Sequence, residues 1–522
     1  MKCVQLMLLG VGLGLSLPVV ARSTVNGFVY QDINGNGVRD AQEPGIADVA
    51  VTNGRAVCLT GSDGQYALPA TDDMIVSVIK PSGYAVPLNA TNQPQFYYIH
   101  KPDGSPKLRH AGVAPTGPLP ASVDFPLIPQ EESKEFTALI FGDPQPDSLA
   151  DLRAFEKAIV DEVAGTTDAV FGISLGDLGA ISLFPEYRKT IAKIGIPWYN
   201  VIGNHDMNTD IPHDRWSDET FEANFGPATY AFNYGDAHFI VLDNVLYPDP
   251  RGQQGYYGGL REDILDFVEN DLKFVPTDKL VVISMHIPPA PFEEPDPFRD
   301  ADRLRLFELL ANHRYTLSLS AHVHGQNHHF YGADEGWKGA DVHHHFNVGT
   351  TSGSVYKGPK DRYGTPEAPM SDGTPKGYLF LHINGNQYTY DYKVSGEPAD
   401  YRMRINIPKI VPQVKKFRAE AFVNFFQGSP RDILEYRVDN GPWQPMAREP
   451  RLDKYLLDLE YEWDHAEELP WGVRLASPVP SSHIWTAPMP SSFSLGEHTF
   501  EVRATDWLGR IYTASRTFKM VK

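Results

Sequence analysis

Side chains of the types that bind metal ions recur in the middle of the chain, each within four residues after the end of a short apolar run. The runs that precede them are FTALIF, ISL, YNVI, VVISM and SLS. The polar residues, in chain order, are Asp143, Gln145, Asp177, Asn204, His205, Asp206, His286, His322 and His324. Since open α/β sheets place their sites at the carboxyl ends of their strands, five segments are predicted to assemble one polar site.

The mixture of carboxylate, imidazole and amide donors suits divalent cations such as Mn, Fe or Zn. Two such ions about 3.5–4 Å apart can hold a bridging hydroxide and clamp the attacking and leaving oxygens of a displacement at phosphorus. The spacing of His322 and His324 on an extended segment puts both rings on one side. This donor set therefore predicts hydrolysis of a phosphate ester.

The segments between these residues alternate between strand and helix patterns. Apolar runs of strand length are separated by helical periodicity, expected near residues 262–272 and 303–312 and on one face of a further helix. The apolar positions of that further helix are Leu152, Phe155, Ile159 and Val163. This alternation is typical of a layered α/β domain, which we predict over residues 134–396.

Both flanks of this domain have the pattern of β modules. Residues 22–128 carry short alternating apolar stretches separated by Gly, Pro, Asn and Asp, which predicts an N-terminal β-sandwich followed by a linker. Alternation without a helical pattern returns over residues 397–522, where Asp439-Asn440-Gly441 suits a tight turn. A C-terminal β-sandwich is predicted there. A chain of 522 residues is long enough for about three such domains.

Residues 1–21 have the layout of a secretory signal peptide. Lys2 precedes an apolar run over residues 4–17 and a small-residue ending. The alternative, an uncleaved membrane anchor, is disfavoured because the run is short and contains glycines and a proline. No later segment is apolar enough to cross a membrane, so a periplasmic or secreted protein is predicted. Cys3 would leave with the signal, and Cys58 alone forms no intramolecular disulfide.

The charge balance restricts the partners. The chain has 66 acidic and 46 basic residues, a formal net charge of -20, which argues against a nucleic-acid or anionic-lipid surface. An anionic substrate must therefore be attracted by local positive charge. Bound divalent metals would supply that charge.

The motifs GDPQ, GDLG, GNHD, the MHIPP histidine and SAHVHG, in this order, resemble the five signature blocks of the calcineurin-like metallophosphoesterases. The blocks span residues 142–325, most of the predicted α/β domain. The whole chain is similar to three-part bacterial members with β modules on both sides. The resemblance implies a layered metallophosphoesterase β-sandwich flanked by helices, and a dinuclear metal-dependent phosphoric ester hydrolase.

The resemblance also implies a role for each motif residue. Six residues would hold two metal ions: Asp177 between both, Asp143 and His324 on the first, and Asn204, His286 and His322 on the second. His205 would hydrogen-bond the phosphate and protonate the leaving oxygen, with Asp206 orienting its ring. The family's usual first block is Asp-x-His, whereas Gln145 stands at the third position here. Two roles are therefore predicted as alternatives for Gln145: its amide oxygen binds a metal ion, or its side chain hydrogen-bonds to a residue that does.

Other polar and aromatic residues have structural interpretations. The alternation in DVHHHFNVG predicts an edge strand with some rings of His343, His344 and His345 exposed, and a pocket role for one ring is the less favoured reading. His328 and His329 are treated in the same way. The loop at residues 349–354 resembles a family segment near the site and is either a substrate contact or a simple turn. Four aromatic residues are expected to pack a loop rather than stack on a base: Trp216, Phe225, Tyr230 and Phe232.

A separate calcium site is predicted in the N-terminal module. Residues 32–43, DINGNGVRDAQE, follow the spacing of a calcium loop. The predicted ligands are Asp32, Asn34, Asn36, Val38, Asp40 and Glu43. The flanks read as strands, and together with SDGQYALP they resemble B-type repeats of Gram-positive surface adhesins and related prealbumin-like modules. A structural calcium ion is favoured over a solvated turn, with no catalytic role.

Three functional hypotheses follow. The leading one is a phosphoesterase, with phosphomonoesters slightly favoured over diesters by analogy with exported phosphate-scavenging enzymes. The second is a catalytically weak cell-surface binding protein whose β modules hold a ligand. The third, a nucleotidase or nuclease, shares the chemistry but requires a base-binding pocket that the sequence does not identify.

Overall fold

A computed structural model describes residues 24–290, 292, 298–415 and 417–522. The predicted signal peptide, including Cys3, lies outside these residues. Within the described part, no helix has the length and apolar character needed to cross a membrane.

The N-terminal module contains eight strands among its described residues. They are β1 (Thr24–Gln31), β2 (Ala50–Thr52), β3 (Val57–Leu59), β4 (Gln65–Pro69), β5 (Met74–Val78), β6 (Tyr84–Ala85), β7 (Tyr97–His100) and β8 (Phe125–Pro129). Two four-stranded sheets result, in the orders β4-β1-β8-β6 and β3-β2-β5-β7. In β1, Val25 and Val29 point into the core while Asn26 and Phe28 lie on the opposite, more exposed face, as a half-buried strand requires. The prediction of a β-sandwich here is confirmed.

The described part of the central domain contains thirteen strands. They are β9 (Glu135–Phe141), β10 (Phe171–Ser174), β11 (Trp198–Asn200), β12 (Tyr230–Tyr234), β13 (Ala237–Val241), β14 (Val245–Leu246), β15 (Tyr257–Gly258), β16 (Leu280–Ser284), β17 (Tyr315–Ser320), β18 (Asn327–Tyr331), β19 (His343–Asn347), β20 (Gly377–Asn384) and β21 (Gln387–Val394). The main sheets have the orders β11-β10-β9-β20-β21 and β12-β13-β16-β17-β19-β18. Strands β9, β10 and β11 are parallel, as are β13, β16, β17 and β19. The predicted α/β architecture is confirmed.

Strand β9 explains how the layers are arranged. Ala138 and Ile140 belong to the core that also contains Phe239 and Val282 of the other sheet. Leu139 belongs to a second core with Phe155 of the first helix. Because successive side chains point to opposite faces, one strand joins the core between the sheets to the core beneath the helices.

The helices are α1 (Leu149–Phe155), α2 (Asp161–Val163), α3 (Phe184–Ile191), α4 (Glu219–Phe225), α5 (Glu262–Leu272), α6 (Asp300–Leu310) and α7 (Lys454–His465). A π-helical turn, Glu156–Val160, joins α1 to α2, and short 3₁₀ turns span Ile181–Leu183, Ala192–Ile194, Asp214–Trp216 and Ala333–Glu335. Helix α5 lies where it was predicted. Helix α6 begins before the predicted position, because Asp300 and Asp302 occupy a first turn that favours acidic side chains.

The expectation that His343, His344 and His345 lie on an edge strand with exposed rings is wrong. Strand β19 runs between β17 and β18, and all five of its residues are buried. Burial is tolerated because both ring nitrogens of His343 have partners, Thr316 Oγ1 at 2.8 Å and Ser318 Oγ at 2.8 Å. The imidazoles are therefore interior polar groups of the sheet.

The described part of the C-terminal module contains nine strands. They are β22 (Met403–Asn406), β23 (Ile410–Pro412), β24 (Glu420–Phe425), β25 (Ile433–Val438), β26 (Gln444–Pro445), β27 (Ala447–Arg448), β28 (Ile484–Pro488), β29 (Gly496–Thr505) and β30 (Ile511–Val521). Its sheets have the orders β22-β24-β28-β27 and β23-β30-β29-β25-β26, which confirms the β prediction. The expectation that this region lacks helices is wrong. Helix α7 is capped by Asp453, which accepts the Leu456 N–H, and it buries Leu456 and Leu459 at a spacing of three residues.

Both modules are joined to the central domain by polar contacts that are at least partly buried. On the N-terminal side, Lys80 Nζ donates to Glu132 Oε1 at 2.6 Å and to the Asn233 carbonyl at 2.8 Å. On the C-terminal side, Trp507 Nε1 donates to Tyr390 Oη at 2.8 Å. Both modules are therefore attached by specific contacts as well as by the chain itself.

Candidate metal centre

The carboxyl ends of β10, β16 and β17 bring one carboxylate and two imidazoles together. Nε2 of His286 lies 3.4 Å from Oδ1 of Asp177 and 3.1 Å from Nδ1 of His322. One ligand atom from each residue falls within 4.8 Å of the others. Nε2 of His286 also lies 2.8 Å from Oδ1 of Asn204, which follows β11. These are the four residues that the sequence assigned around one metal position.

A second set surrounds Asp143 at the end of β9. Its Oδ2 lies 3.2 Å from Nε2 of His324, and its Oδ1 lies 3.8 Å from Nδ1 of His286. Both carboxylate oxygens accept the backbone N–H of His322 at 3.1 Å. The structure therefore brings both predicted metal positions to the carboxyl ends of strands from both main sheets, while the ligand roles themselves stay predictions.

Backbone strain is concentrated at these residues. Five of the eleven non-glycine residues with positive φ in the described part are predicted ligands: Asp143, Gln145, Asp177, His322 and His324. Such conformations cost of order 1–3 kcal/mol each and persist where function requires them. The turns after the strands therefore aim side chains into the site at the expense of local stability.

Two motif glycines allow the close approach of the loops. A Cβ at Gly203 would lie 2.2 Å from Oδ1 of Asp177, and one at Gly176 would lie 2.5 Å from Nδ1 of His286. Neither loop could carry a larger residue without moving these side chains. The glycines of GDLG and GNHD therefore have a packing reason.

The buried carboxylates make the centre attractive to cations. Burial alone would lower the pKa of His286, but the charge of Asp177 and its hydrogen bond raise that pKa to about 9. Burial would raise the pKa of Asp177, and the charge of His286 overcomes this and holds it well below its usual range. Burial and the charge of His286 lower the pKa of His322 to about 4, so this imidazole is neutral and free to act as a ligand at neutral pH.

Gln145 offers an oxygen that fits a metal. The residue is 6% exposed, and within the described residues its buried Oε1 has no hydrogen-bond partner. An orphaned buried carbonyl oxygen costs roughly 1–3 kcal/mol unless something else satisfies it. The oxygen-and-nitrogen donor set, including this orphan, fits two divalent ions of the Mn, Fe or Zn type.

His205 and Asp206 have different environments. The exposed His205 lies at the mouth of the centre, and its backbone N–H donates to Oδ1 of Asp177 at 2.9 Å. Asp206 is fully buried and accepts the N–H groups of Leu178 and Gly203, each at 2.8 Å. Both oxygens of Asp206 thus join the GDLG and GNHD turns, and its role in orienting the His205 ring stays a prediction.

Sequence reasoning missed the groups that orient the imidazoles. Nδ1 of His286 donates to the Leu175 carbonyl at 2.8 Å, and Nδ1 of His324 donates to the Gly353 carbonyl at 2.6 Å. These bonds leave each Nε2 facing the centre. Main-chain carbonyls have no side-chain signature, although the resemblance at residues 349–354 indicated that this loop is near the site.

The remaining candidates contact residues other than the predicted metal ligands. Phe225, Tyr230 and Phe232 are buried; the Phe232 ring stacks on Tyr199 with centroids 4.0 Å apart, which confirms packing roles for these three. His328 is buried and Nδ1 pairs with His344 Nε2 at 2.9 Å, whereas His329 pairs with Glu335. Trp216 is half-buried beside Arg215.

The predicted calcium loop forms a closed turn. Asp32 accepts the N–H groups of Gly35 and Gly37 at 2.7 and 2.9 Å. Glu43 accepts those of Ile33 and Asp40 at 2.9 and 3.0 Å. Backbone N–H groups therefore satisfy the carboxylates of Asp32 and Glu43 without an ion. Calcium binding stays a prediction.

Comparison with known proteins agrees with the geometry. The family model described as Calcineurin-like phosphoesterase matches residues 136–326. The model of the N terminal of Calcineurin-like phosphoesterase matches residues 32–110, and that of the C terminal matches residues 345–512.

Individual relatives are distant. The probable glycerophosphodiester phosphodiesterase GpdQ of Arcobacter nitrofigilis is 28% identical over 159 residues, which is 30% of this chain and 55% of that protein. The match thus spans about half of that relative's length. Purple acid phosphatase PPD1 from yellow lupin (Lupinus luteus) seeds superimposes with a TM-score of 0.37 and 14% identity, covering 67% of this chain and 68% of that one. GAP50 of Plasmodium, the anchor in the inner membrane complex, superimposes with a TM-score of 0.33 and 13% identity, covering 50% of this chain and 85% of that one. With three family models in succession along its length, the chain belongs to the calcineurin-like phosphoesterases and carries that family's N- and C-terminal modules.

Proposed function

We propose that this protein hydrolyses a phosphate ester, with phosphomonoesters favoured, at a centre that holds two divalent metal ions. The observation that carries the proposal is the convergence of five side chains where strands of the two main sheets end, four of them on strained backbone: Asp143, Asp177, His286, His322 and His324. When bound, two divalent ions supply positive charge to the phosphoryl oxygens and make the attacking water more acidic.

The chain's own residues would divide the remaining work. Asp177 would lie between the ions, Asp143 and His324 would hold one, and Asn204, His286 and His322 the other. Gln145 would offer its orphaned oxygen to the first ion. His205, exposed at the mouth and held through its backbone by Asp177, would bind the phosphate and give a proton to the leaving oxygen.

A phosphodiester is the second candidate substrate. It is favoured by the similarity to a protein named as a probable glycerophosphodiester phosphodiesterase. Monoesters and diesters need the same metal-binding side chains. The distinction therefore depends on the groups around the leaving side of the phosphate.

The test is hydrolysis of 4-nitrophenyl phosphate and bis(4-nitrophenyl) phosphate by metal-stripped protein refilled with Mn, Fe or Zn. Metal-dependent turnover that is lost in Asp177→Asn and His205→Ala supports the proposal, and the ester turned over identifies the class. His465→Ala, which removes an exposed imidazole from α7, is the matched control and should retain full activity. If the wild type hydrolyses neither ester with any of the three metals, a binding protein with the same fold is favoured.

We also propose export to the periplasm or the cell exterior, on the strength of the pattern in residues 1–21. Amino-terminal sequencing of the protein recovered from its native host tests this. A mature chain that begins near residue 22 supports export, and a chain that retains residue 1 contradicts cleavage.

A further inference from the structure

A cavity beside His205 is lined by two different domains. Its volume is about 280 Å³. The central domain contributes Asn204 and His205, both from GNHD, together with Asp210. The N-terminal module contributes Arg109 and His110. The cavity therefore lies on the side of the centre where His205 would protonate the leaving group.

The module's loop is held in place by Thr220 of α4. Thr220 Oγ1 donates to the His110 carbonyl at 3.1 Å and accepts from Asn208 Nδ2 at 2.8 Å. Asn208 follows GNHD closely in the chain, and its Oδ1 accepts the Thr220 N–H at 2.9 Å. One threonine thus joins the catalytic turn to the loop that carries Arg109.

A second contact fixes Arg109 itself. Its backbone N–H donates to Oδ2 of Asp210 at 2.6 Å. The guanidinium, in contrast, is exposed and forms no ion pair with any carboxylate of the described residues within 4.0 Å. In a chain with a net charge of -20, Arg109 is the one lysine or arginine among the described residues that line this cavity beside the centre.

We infer that Arg109 binds an anionic group on the leaving part of the substrate. A guanidinium presents a planar set of N–H donors that matches a carboxylate or a second phosphate in two parallel hydrogen bonds. This inference rests on the proposed function and narrows it to phosphate esters whose alcohol carries a second negative charge. In the reaction, the bond from phosphorus to the alcohol oxygen breaks, water supplies the new oxygen on phosphorus, and the departing alcohol takes up a proton.

Two chromogenic monoesters test the inference: 4-nitrophenyl phosphate and 3-carboxy-4-nitrophenyl phosphate. The wild type should have the higher kcat/KM for the carboxylated ester. Arg109→Gln should lower kcat/KM for that ester by about tenfold or more, because a hydrogen bond to a charged group is lost, and should change the value for the ester without the carboxylate by less than about twofold. Arg109→Lys should restore only part of the preference, since an ammonium does not form the paired bonds.

Lys107→Gln is the matched control. It removes a positive charge from the same loop, at an exposed position outside the cavity, and should leave the preference unchanged. If Arg109→Gln lowers kcat/KM equally for both esters, or leaves the preference for the carboxylated ester unchanged, the inference is overturned while the proposed function stands. If the wild type hydrolyses neither of these esters nor bis(4-nitrophenyl) phosphate, both the proposed function and the inference are overturned.

Discussion

The backbone N–H of Gln145 donates to the carbonyl oxygen of Asp177 at 2.8 Å, so the turn after β9 is joined to the turn after β10. Gln145 has a left-handed backbone conformation at this bond, and the residue is buried. The amide oxygen at the end of that side chain has no hydrogen-bond partner among the described residues. The turn after β10 thus positions Gln145, whose amide oxygen is a predicted metal ligand.

Gln145→Ala should weaken binding of one of two metal ions by about tenfold or more, because an oxygen ligand is removed. Gln145→Glu should tighten it, since a charged carboxylate replaces a neutral amide. Metal content after dialysis against graded chelator measures both effects. Gln93→Ala, at a buried glutamine of the N-terminal module, should leave metal content unchanged. Identical metal retention by all three variants would mean that Gln145 is not a ligand.

The buried histidines of β19 predict a loss of stability in acid. Burial, and then the charge of His329, lower the pKa of His343 to about 3, whereas the unfolded chain has the ordinary value of about 6.5. The unfolded state therefore binds the proton first, and the stabilisation is lost as pH falls below about 6.5. Each such histidine should contribute a slope of about 1.4 kcal/mol per pH unit to the free energy of unfolding.

Urea unfolding of metal-stripped protein at a series of pH values between about 7 and 4 measures this slope. His343→Asn can still form a hydrogen bond to a neighbouring hydroxyl. It should reduce the pH slope of the free energy of unfolding by about 1.4 kcal/mol per pH unit, whatever the stability of the variant at neutral pH. His465→Asn, at an exposed position, is the control and should follow the wild type. A slope for His343→Asn that is equal to the wild-type slope would contradict a buried neutral imidazole.

How much of this arrangement could be predicted depends on the kind of interaction. The clustering of the motif residues was predictable because they follow strands, and parallel strands bring their carboxyl ends together. Helix α7 was missed because it buries only a narrow stripe of leucines beside a proline-rich stretch. The role of Asp206 and the presence of Arg109 in the cavity depend on how loops distant in sequence pack, which periodicity does not encode.

Calcium should stabilise the N-terminal module if residues 32–43 bind it. Calcium at about a hundred times its dissociation constant would raise the free energy of unfolding of the module by about 2.7 kcal/mol. Glu43→Gln should abolish most of this gain, because the charge of the ligand at the last loop position is removed, while the metal content of the centre stays the same. Scanning calorimetry with and without calcium measures the effect, and an absence of calcium binding by the wild type in titration calorimetry would refute the site.

The docking of the N-terminal module should depend on one buried ammonium. Lys101 Nζ lies 2.7 Å from Oε2 of Glu219 and 2.7 Å from Oε2 of Glu222, both on α4, and 3.2 Å from Oδ1 of Asp73. Burial opposes the charged form of Lys101, but the charge of Glu222 outweighs it and raises the pKa of the lysine. The ammonium is therefore protonated and compensates two buried carboxylates.

Lys101→Met should destabilise the protein by about 3–5 kcal/mol, because it leaves those carboxylates buried and uncompensated. The urea midpoint of the first unfolding transition measures this loss. Since the same helix carries Thr220, the variant should also raise KM for 3-carboxy-4-nitrophenyl phosphate more than for 4-nitrophenyl phosphate. Lys107→Met, at an exposed position of the same loop, should leave both measurements unchanged. Equal midpoints for Lys101→Met and Lys107→Met would show that the module is held by its apolar contacts alone.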